Sequence, residues 1–238
     1  MRLDRFLSNL QYGTRKEVRR IIKAARVTVD DQLQRDPGFD VPEGAVVALD
    51  GTALTQDLAV YYLLNKPAGV VTANRDARDR TVMDLIADTD MRPGLYPVGR
   101  LDKDTTGLLL LTNDGTLGHN LLAPGKHVPK TYRATLARPL TAAQRGPIET
   151  GIAFKDFTSR PATLTVVPDT ADRQVELTIG EGKYHQVKRM FLAVGNEVVA
   201  LHRIAMGPLT LPGNLSAGRY RSLTAAELAG LKALVPKR

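Results

Sequence analysis

Four consecutive leucines, Leu108 to Leu111, follow the charged loop Gly99-Arg100-Leu101-Asp102-Lys103-Asp104-Thr105-Thr106-Gly107 and are closed by the turn sequence Asn113-Asp114-Gly115. An apolar run this short, bounded by turn residues, has no room for a helix and reads as a buried strand. The loop before it is therefore anchored to the core, and anchored loops are where reacting groups are held in one geometry. Asp102 and Asp104 are its acids. On spacing alone the plainer assignment, acids that cap or solvate a turn, is favoured.

At 238 residues, the chain suits one large domain or a small domain followed by a medium one. Its 43% hydrophobic and 24% charged residues are those of a globular protein and exclude disorder. The 33 Lys and Arg against 25 Asp and Glu leave a formal charge of +8, which favours a polyanion, nucleic acid first. With no cysteine, disulfides and thiolate zinc sites are excluded, and the four histidines have no metal-ligand spacing, so no metal is expected. The polar opening Met1-Arg2-Leu3-Asp4-Arg5 and the lack of any membrane-spanning stretch point to a cytoplasmic protein without a membrane partner.

Leu3, Phe6, Leu7 and Leu10 share one face of a first helix that Gly13 is placed to end. Thr14 and Glu17 form a capping box that starts a second. There Val18, Ile21, Ile22 and Ala25 can pack inward, while Arg15, Lys16, Arg19, Arg20, Lys23 and Arg26 make a basic stripe opposed only by Glu17. A solvated face usually mixes both signs, so this stripe reads as a phosphate-contacting surface. Short strands at Arg26 to Val29, Gln32 to Gln34 and Val46 to Leu49 complete a small module, with an Asp30-Asp31 turn. Asp50 to Asp57 reads as a linker, giving domains 1–57 and 58–238.

In the second domain, strands are expected at Val60 to Leu64, Tyr132 to Leu136, Thr163 to Val167, Gln174 to Ile179 and Val198 to Ile204. Helices are expected near Thr81 to Ile86, over Thr116 to Leu122, after the Thr141 and Gln144 capping box up to Gly146-Pro147, from Tyr184 to Val194, and after a capping box of Thr224 and Glu227. The Tyr184 to Val194 helix buries Val187, Met190, Phe191 and Val194 and turns His185, Lys188 and Arg189 outward. The fold class is α+β, with a mixed, mainly antiparallel sheet flanked by helices. No hydrolase triad or phosphate loop is recognisable.

The stretch Gly99-Arg100-Leu101-Asp102 with Thr105-Thr106-Gly107-Leu108 resembles the nucleophile motif of the pseudouridine synthases, in the branch that modifies ribosomal RNA. The resemblance extends to Asn65-Lys66-Pro67-Ala68-Gly69, Lys130-Thr131-Tyr132 and Glu181-Gly182-Lys183-Tyr184-His185-Gln186-Val187-Lys188-Arg189-Met190, in the family's order. The first 57 residues are similar to the alpha-L, or S4-like, RNA-binding domain.

That resemblance implies isomerisation of a uridine to pseudouridine in ribosomal RNA, with no cofactor. Asp102 becomes the nucleophile, Lys188 the cation that keeps it ionised, and Tyr132 the ring that stacks on the base and takes part in the late proton transfer. Arg100 is placed to fill the gap left by the extruded nucleotide, and His185 and Arg189 to contact RNA. Gly69, Gly107 and Gly182 are expected to allow close backbone packing around the pocket. The Tyr184-His185-Gln186-Val187-Lys188-Arg189 wording leans to the small-subunit enzyme, a monomer working on a partly assembled small subunit. The alternatives are a synthase of large-subunit RNA, a non-catalytic ribosome assembly factor, and a glycosidase or nucleosidase acting on small molecules, which would leave the basic helix from Arg15 to Lys23 without a purpose.

Overall fold

The computed structural model describes residues 1–10, 12–54 and 59–235. By its internal contacts the chain forms two units, Met1–Val60 with Asp88–Leu95 and Tyr61–Ala87 with Tyr96–Arg238. The expected boundary between Asp57 and Leu58 lies outside the described residues.

In the first unit, helices α1 (Leu3–Asn9) and α2 (Arg15–Lys23) pack with a four-stranded antiparallel sheet. Its strands β1 (Val27–Val29), β2 (Gln32–Gln34), β3 (Val47–Leu49) and β4 (Thr52–Leu54) run in the order β2-β1-β3-β4. Leu3, Phe6, Leu7, Val18, Ile22, Val27, Val29 and Val47 form the core, each side chain contributing about 1.5–3 kcal/mol on burial. α1 stops at Asn9, a turn before Gly13. The capping box on α2 is present: Thr14 Oγ1 accepts from Glu17 N, and the Glu17 carboxylate accepts from Thr14 N at 2.7 Å. Asp30 and Asp31 both take positive φ, 47° and 61°, as a two-residue hairpin with matching twist requires. Asp30 is also tied down, its Oδ1 accepting from Val46 N at 2.7 Å.

The second unit is built on a nine-stranded sheet. Its strands are β5 (Tyr61–Lys66), β6 (Tyr96–Val98), β7 (Thr106–Thr112), β8 (Lys130–Leu136), β9 (Thr163–Val166), β10 (Gln174–Ile179), β11 (Val198–Met206), β12 (Leu209–Thr210) and β13 (Tyr220–Ser222). The order is β13-β5-β7-β11-β8-β10-β9, with β6 also on β7 and β12 also on β11. Only β7 and β11 pair in parallel among the described residues, so the sheet is mixed and mainly antiparallel. Helices α3 (Gly115–Leu122), α4 (Ala142–Thr150), α5 (Gln186–Ala193) and α6 (Ala225–Ala233) belong to this unit. Leu108 to Leu111 are fully buried in β7 at the centre. No helix among the described residues is long and apolar enough to cross a membrane.

Several elements differ from the sequence reading. Asp50 to Leu54 is not linker: Asp50 (φ 50°) and Gly51 (φ 80°) make the tight turn of a β3–β4 hairpin, an Asp-Gly signal that sequence reading passed over. The helix expected from Thr81 shrinks to one 3-10 turn, Met83–Leu85, whose Asp84 carboxylate accepts from Thr81 N and Oγ1. α4 runs past Pro147 to Thr150, its last turn held by fully buried Ile148. α5 begins at Gln186, and His185 is its left-handed N-cap at φ 50°, not a residue on its outer face. Gly107 alone of the three pocket glycines is needed for close packing: a Cβ there would lie 2.3 Å from the Arg203 carbonyl oxygen, whereas Gly69 and Gly182 face open space.

Candidate active site

The Asp102 loop lies between β6 and β7 and is pinned through its backbone. Thr72 Oγ1 donates to Leu101 O at 2.8 Å and accepts from Leu101 N at 3.2 Å. Gly69 N donates to Lys103 O at 2.8 Å, and Thr105 N to Asp102 O at 3.1 Å. Beneath the loop lies Lys66, the last residue of β5, with no exposed surface. Its ammonium donates to the carbonyls of Pro67 (3.0 Å), Lys103 (3.3 Å) and Thr105 (2.9 Å). Burial pushes its pKa down to about 8, against the attraction of Asp104 and Asp102. Sequence reading gave Lys66 no role; the signal was a lysine closing an apolar strand just before a proline.

Helix α5 delivers Lys188 to this loop. Its ammonium lies 3.4 Å from Asp102 Oδ2 and bridges both oxygens of Asp104 at 2.7 and 2.8 Å. Burial works against the charge on Lys188, but the hydrogen bond to Asp104 and the fields of both carboxylates outweigh it, and the pKa is raised. The same hydrogen bond holds Asp104 below the usual carboxylate range. His185 Nε2 lies 3.5 Å from Asp102 Oδ1, so His185 flanks the aspartate and does not simply face solvent. Arg189, one residue along, turns away: it pairs with Asp156 at 2.5 and 3.0 Å and lies over Phe154 and Phe157.

Asp102, Lys188 and His185 line a cavity of about 70 Å³ with Tyr132, Ile179, Val187 and Leu201. Tyr132 is buried in β8 with Arg203 near its ring, the guanidinium carbon 6.0 Å from the centroid. Exposed Arg100 stands at the edge of this cavity. The slot is mixed in character: apolar Ile179, Val187 and Leu201 and the Tyr132 ring share its wall with a carboxylate and a cation, a lining that can take a base with its sugar toward the carboxylate. Asp102, Tyr132, Lys188, Arg100 and His185, chosen from the sequence, come together here, and Arg189 does not.

The basic residues of α2 lie in the first unit. Arg15, Lys16, Arg19, Arg20, Lys23 and Arg26 are exposed, but two are engaged: Arg19 pairs with Asp4 at 2.9 Å and Arg26 with Asp50 at 2.5 Å. Glu17 is therefore not the only acid opposing the stripe, because the fold brings up Asp4 and Asp50.

A pinned carboxylate loop, a lysine from a distant helix and a buried tyrosine around one slot, on a mainly antiparallel sheet and with a separate small α/β unit, define a class. The chain belongs to the RNA pseudouridylate synthase family, whose family model matches residues 60–193, and it carries an S4 domain matched over residues 1–47. It is 45% identical over 231 residues to an uncharacterized RNA pseudouridine synthase of Bacillus subtilis, covering 96% of this chain and 97% of that one. It is 42% identical over 235 residues to ribosomal small subunit pseudouridine synthase A of Escherichia coli, covering 97% and 100%, and 41% identical over 233 residues to its namesake in Vibrio cholerae, covering 97% and 99%. A crystal structure of a pseudouridylate synthase superposes with a TM-score of 0.67 at 36% identity, over 97% of this chain and 99% of that one.

Proposed function

We propose that this RNA pseudouridine synthase converts one uridine of small-subunit ribosomal RNA to pseudouridine in the cytoplasm, with Asp102 as nucleophile. The observation that carries the reading is the Lys188 ammonium between Asp102 and Asp104, at the edge of a slot that also contains Tyr132. Full-length similarity to relatives named for the small subunit supports the substrate.

The target nucleotide is flipped from the RNA, at a cost of about a few kcal/mol that contacts to flanking phosphates offset. Its uracil enters against Tyr132, with the ribose toward Asp102, and Arg100 occupies the vacated space. Asp102 assists rupture of the bond between the sugar C1′ and uracil N1, and the electron pair leaves with the base. The base turns in the slot and C5 bonds to C1′. The C5 proton then leaves with the help of Tyr132, and N1 takes one up, so the product is an isomer and no oxidant or co-reactant is consumed. Lys188, 3.4 Å from Asp102 Oδ2, holds the carboxylate in position. Arg15, Lys16, Arg20 and Lys23 of α2 hold phosphates elsewhere on the RNA, with Arg19 and Arg26 exchanging their carboxylate partners for phosphate.

The test is chemical mapping of pseudouridine on unmodified small- and large-subunit RNA after incubation with the protein. One new site in small-subunit RNA is expected. A site in large-subunit RNA alone refutes the substrate, and none in either refutes the activity.

A further inference from the structure

A second cavity, of about 510 Å³, adjoins the Asp102 slot and shares Arg100, Tyr132, Gly182 and Lys183 with it. Two cations in its wall are buried. Lys130 is 9% exposed and Arg203 is 2% exposed, from neighbouring strands β8 and β11. Arg160 and Lys183 add exposed cations to the wall, and Leu121, Val128 and Phe157 make it partly apolar. Glu181 is the only acid lining it among the described residues, and its Oε1 already accepts from Arg160 N at 2.9 Å and Gln186 Nε2 at 2.6 Å.

Neither buried cation has a counter-ion within ion-pair distance among the described residues. Lys130 Nζ donates to the Val128 carbonyl at 2.9 Å, although an ammonium has three protons to place. Arg203 Nε donates to the Leu108 carbonyl at 2.7 Å, while its Nη2 is buried with no hydrogen-bond partner. Burying two neighbouring charges of one sign with no acid in ion-pair contact with either is costly for a fold. Burial, and then the field of Arg203, push the Lys130 pKa down to about 8, with the field of Glu181 only partly opposing them. A plain structural staple between two carbonyls would need only a neutral donor at each place. An anion brought into this cavity would relieve both groups.

We propose that this cavity is a phosphate subsite: it receives a phosphodiester of the RNA strand beside the target uridine, with Lys130 and Arg203 as its inner cations. The inference rests on the reading of Asp102 and Tyr132 given above, because the shared wall places an occupant next to the nucleotide in the slot. The subsite selects for a strand whose backbone bends sharply enough to bring a neighbouring phosphate behind Tyr132. It thus favours a bulged or looped uridine over one in a regular duplex.

The test uses the full chain, its K130M and K130R variants, and a small-subunit RNA fragment centred on the uridine that the wild type converts. Single methylphosphonates, which remove one backbone charge each, are placed in turn at the flanking linkages, and Kd is read by fluorescence anisotropy. At one adjacent linkage the wild type is expected to lose about 10- to 100-fold in affinity, the range of one charge-assisted hydrogen bond. K130M should lose most of that discrimination, keeping only what Arg203 supplies, and K130R should recover it. K130M without RNA should melt no lower than the wild type, since it removes a buried unpaired charge. A wild type that converts its uridine but ignores every neutral linkage overturns the subsite and leaves the function standing. So does a K130M that melts lower yet discriminates like the wild type, which assigns Lys130 to stapling alone. A wild type that converts no uridine refutes the function itself.

Discussion

Replacing Lys188 by methionine removes the cation between Asp102 and Asp104 while keeping most of the side-chain volume. At the observed 3.4 Å, a unit charge pair is worth about 5 kcal/mol at an effective dielectric of about 20 and about 1 kcal/mol in water. The Lys188 and Asp102 side chains are 25% and 28% exposed, so solvent screens the pair toward the lower figure, roughly 1–2 kcal/mol. If that attraction holds the nucleophile in place, K188M slows the chemical step by roughly 5- to 30-fold. Single-turnover formation of pseudouridine with enzyme in excess reads this step without binding. K188R should recover much of the rate, though incompletely, because a planar guanidinium cannot bridge two carboxylates as a compact ammonium does. R189M removes the partner of Asp156 instead and should cost affinity more than single-turnover rate. A K188M enzyme at wild-type rate, with R189M slowed, would mean that the partner of Asp102 has been assigned one residue too early.

Three further outcomes follow from the geometry. G107A puts a Cβ 2.3 Å from the Arg203 carbonyl and forces alanine to φ 101°, so β7 and β11 must part. A loss of about 2–5 kcal/mol is expected in urea unfolding, and a loss below about 1 kcal/mol refutes the close approach. Neutralising Arg15, Lys16, Arg20 and Lys23 together should flatten the log–log salt dependence of RNA affinity by about 3; an unchanged slope means α2 meets solvent only. The Arg221 pair holds Glu227 down to about 2, where an unfolded glutamate titrates near 4.5. Because the folded pKa is the lower one, the stabilisation is complete above pH 4.5 and drains away as pH falls toward 2. R221M should remove that part of the acid dependence, and an identical acid unfolding curve would refute it.

The parts of the fold written in local chemistry were legible in the sequence. The capping boxes at Thr14, Thr141 and Thr224 form as read, because each needs only residues three apart. The four leucines of β7 are buried as their turn-bounded run required. What escaped depends on partners far along the chain. β12 and β13 have two and three residues, too few for a period, and exist because β11 and β5 pair with them. Nothing near His185 announced its left-handed backbone, and a helical period simply ran through it. The Lys188 to Asp104 contact spans 84 positions, and only the family resemblance joined the two segments beforehand. Lys66, Lys130 and Arg203 were invisible as buried cations, because a lysine or arginine in sequence is presumed exposed and only tertiary packing encloses it.

The central claim is that Asp102 does the chemistry. The direct measurement is single-turnover pseudouridine formation by D102N, with RNA affinity measured on the same preparation. The amide keeps the shape of the carboxylate and loses its nucleophilicity, so no pseudouridine should form while Kd stays within a few-fold of wild type. Product formed by D102N at near wild-type rate would contradict the account.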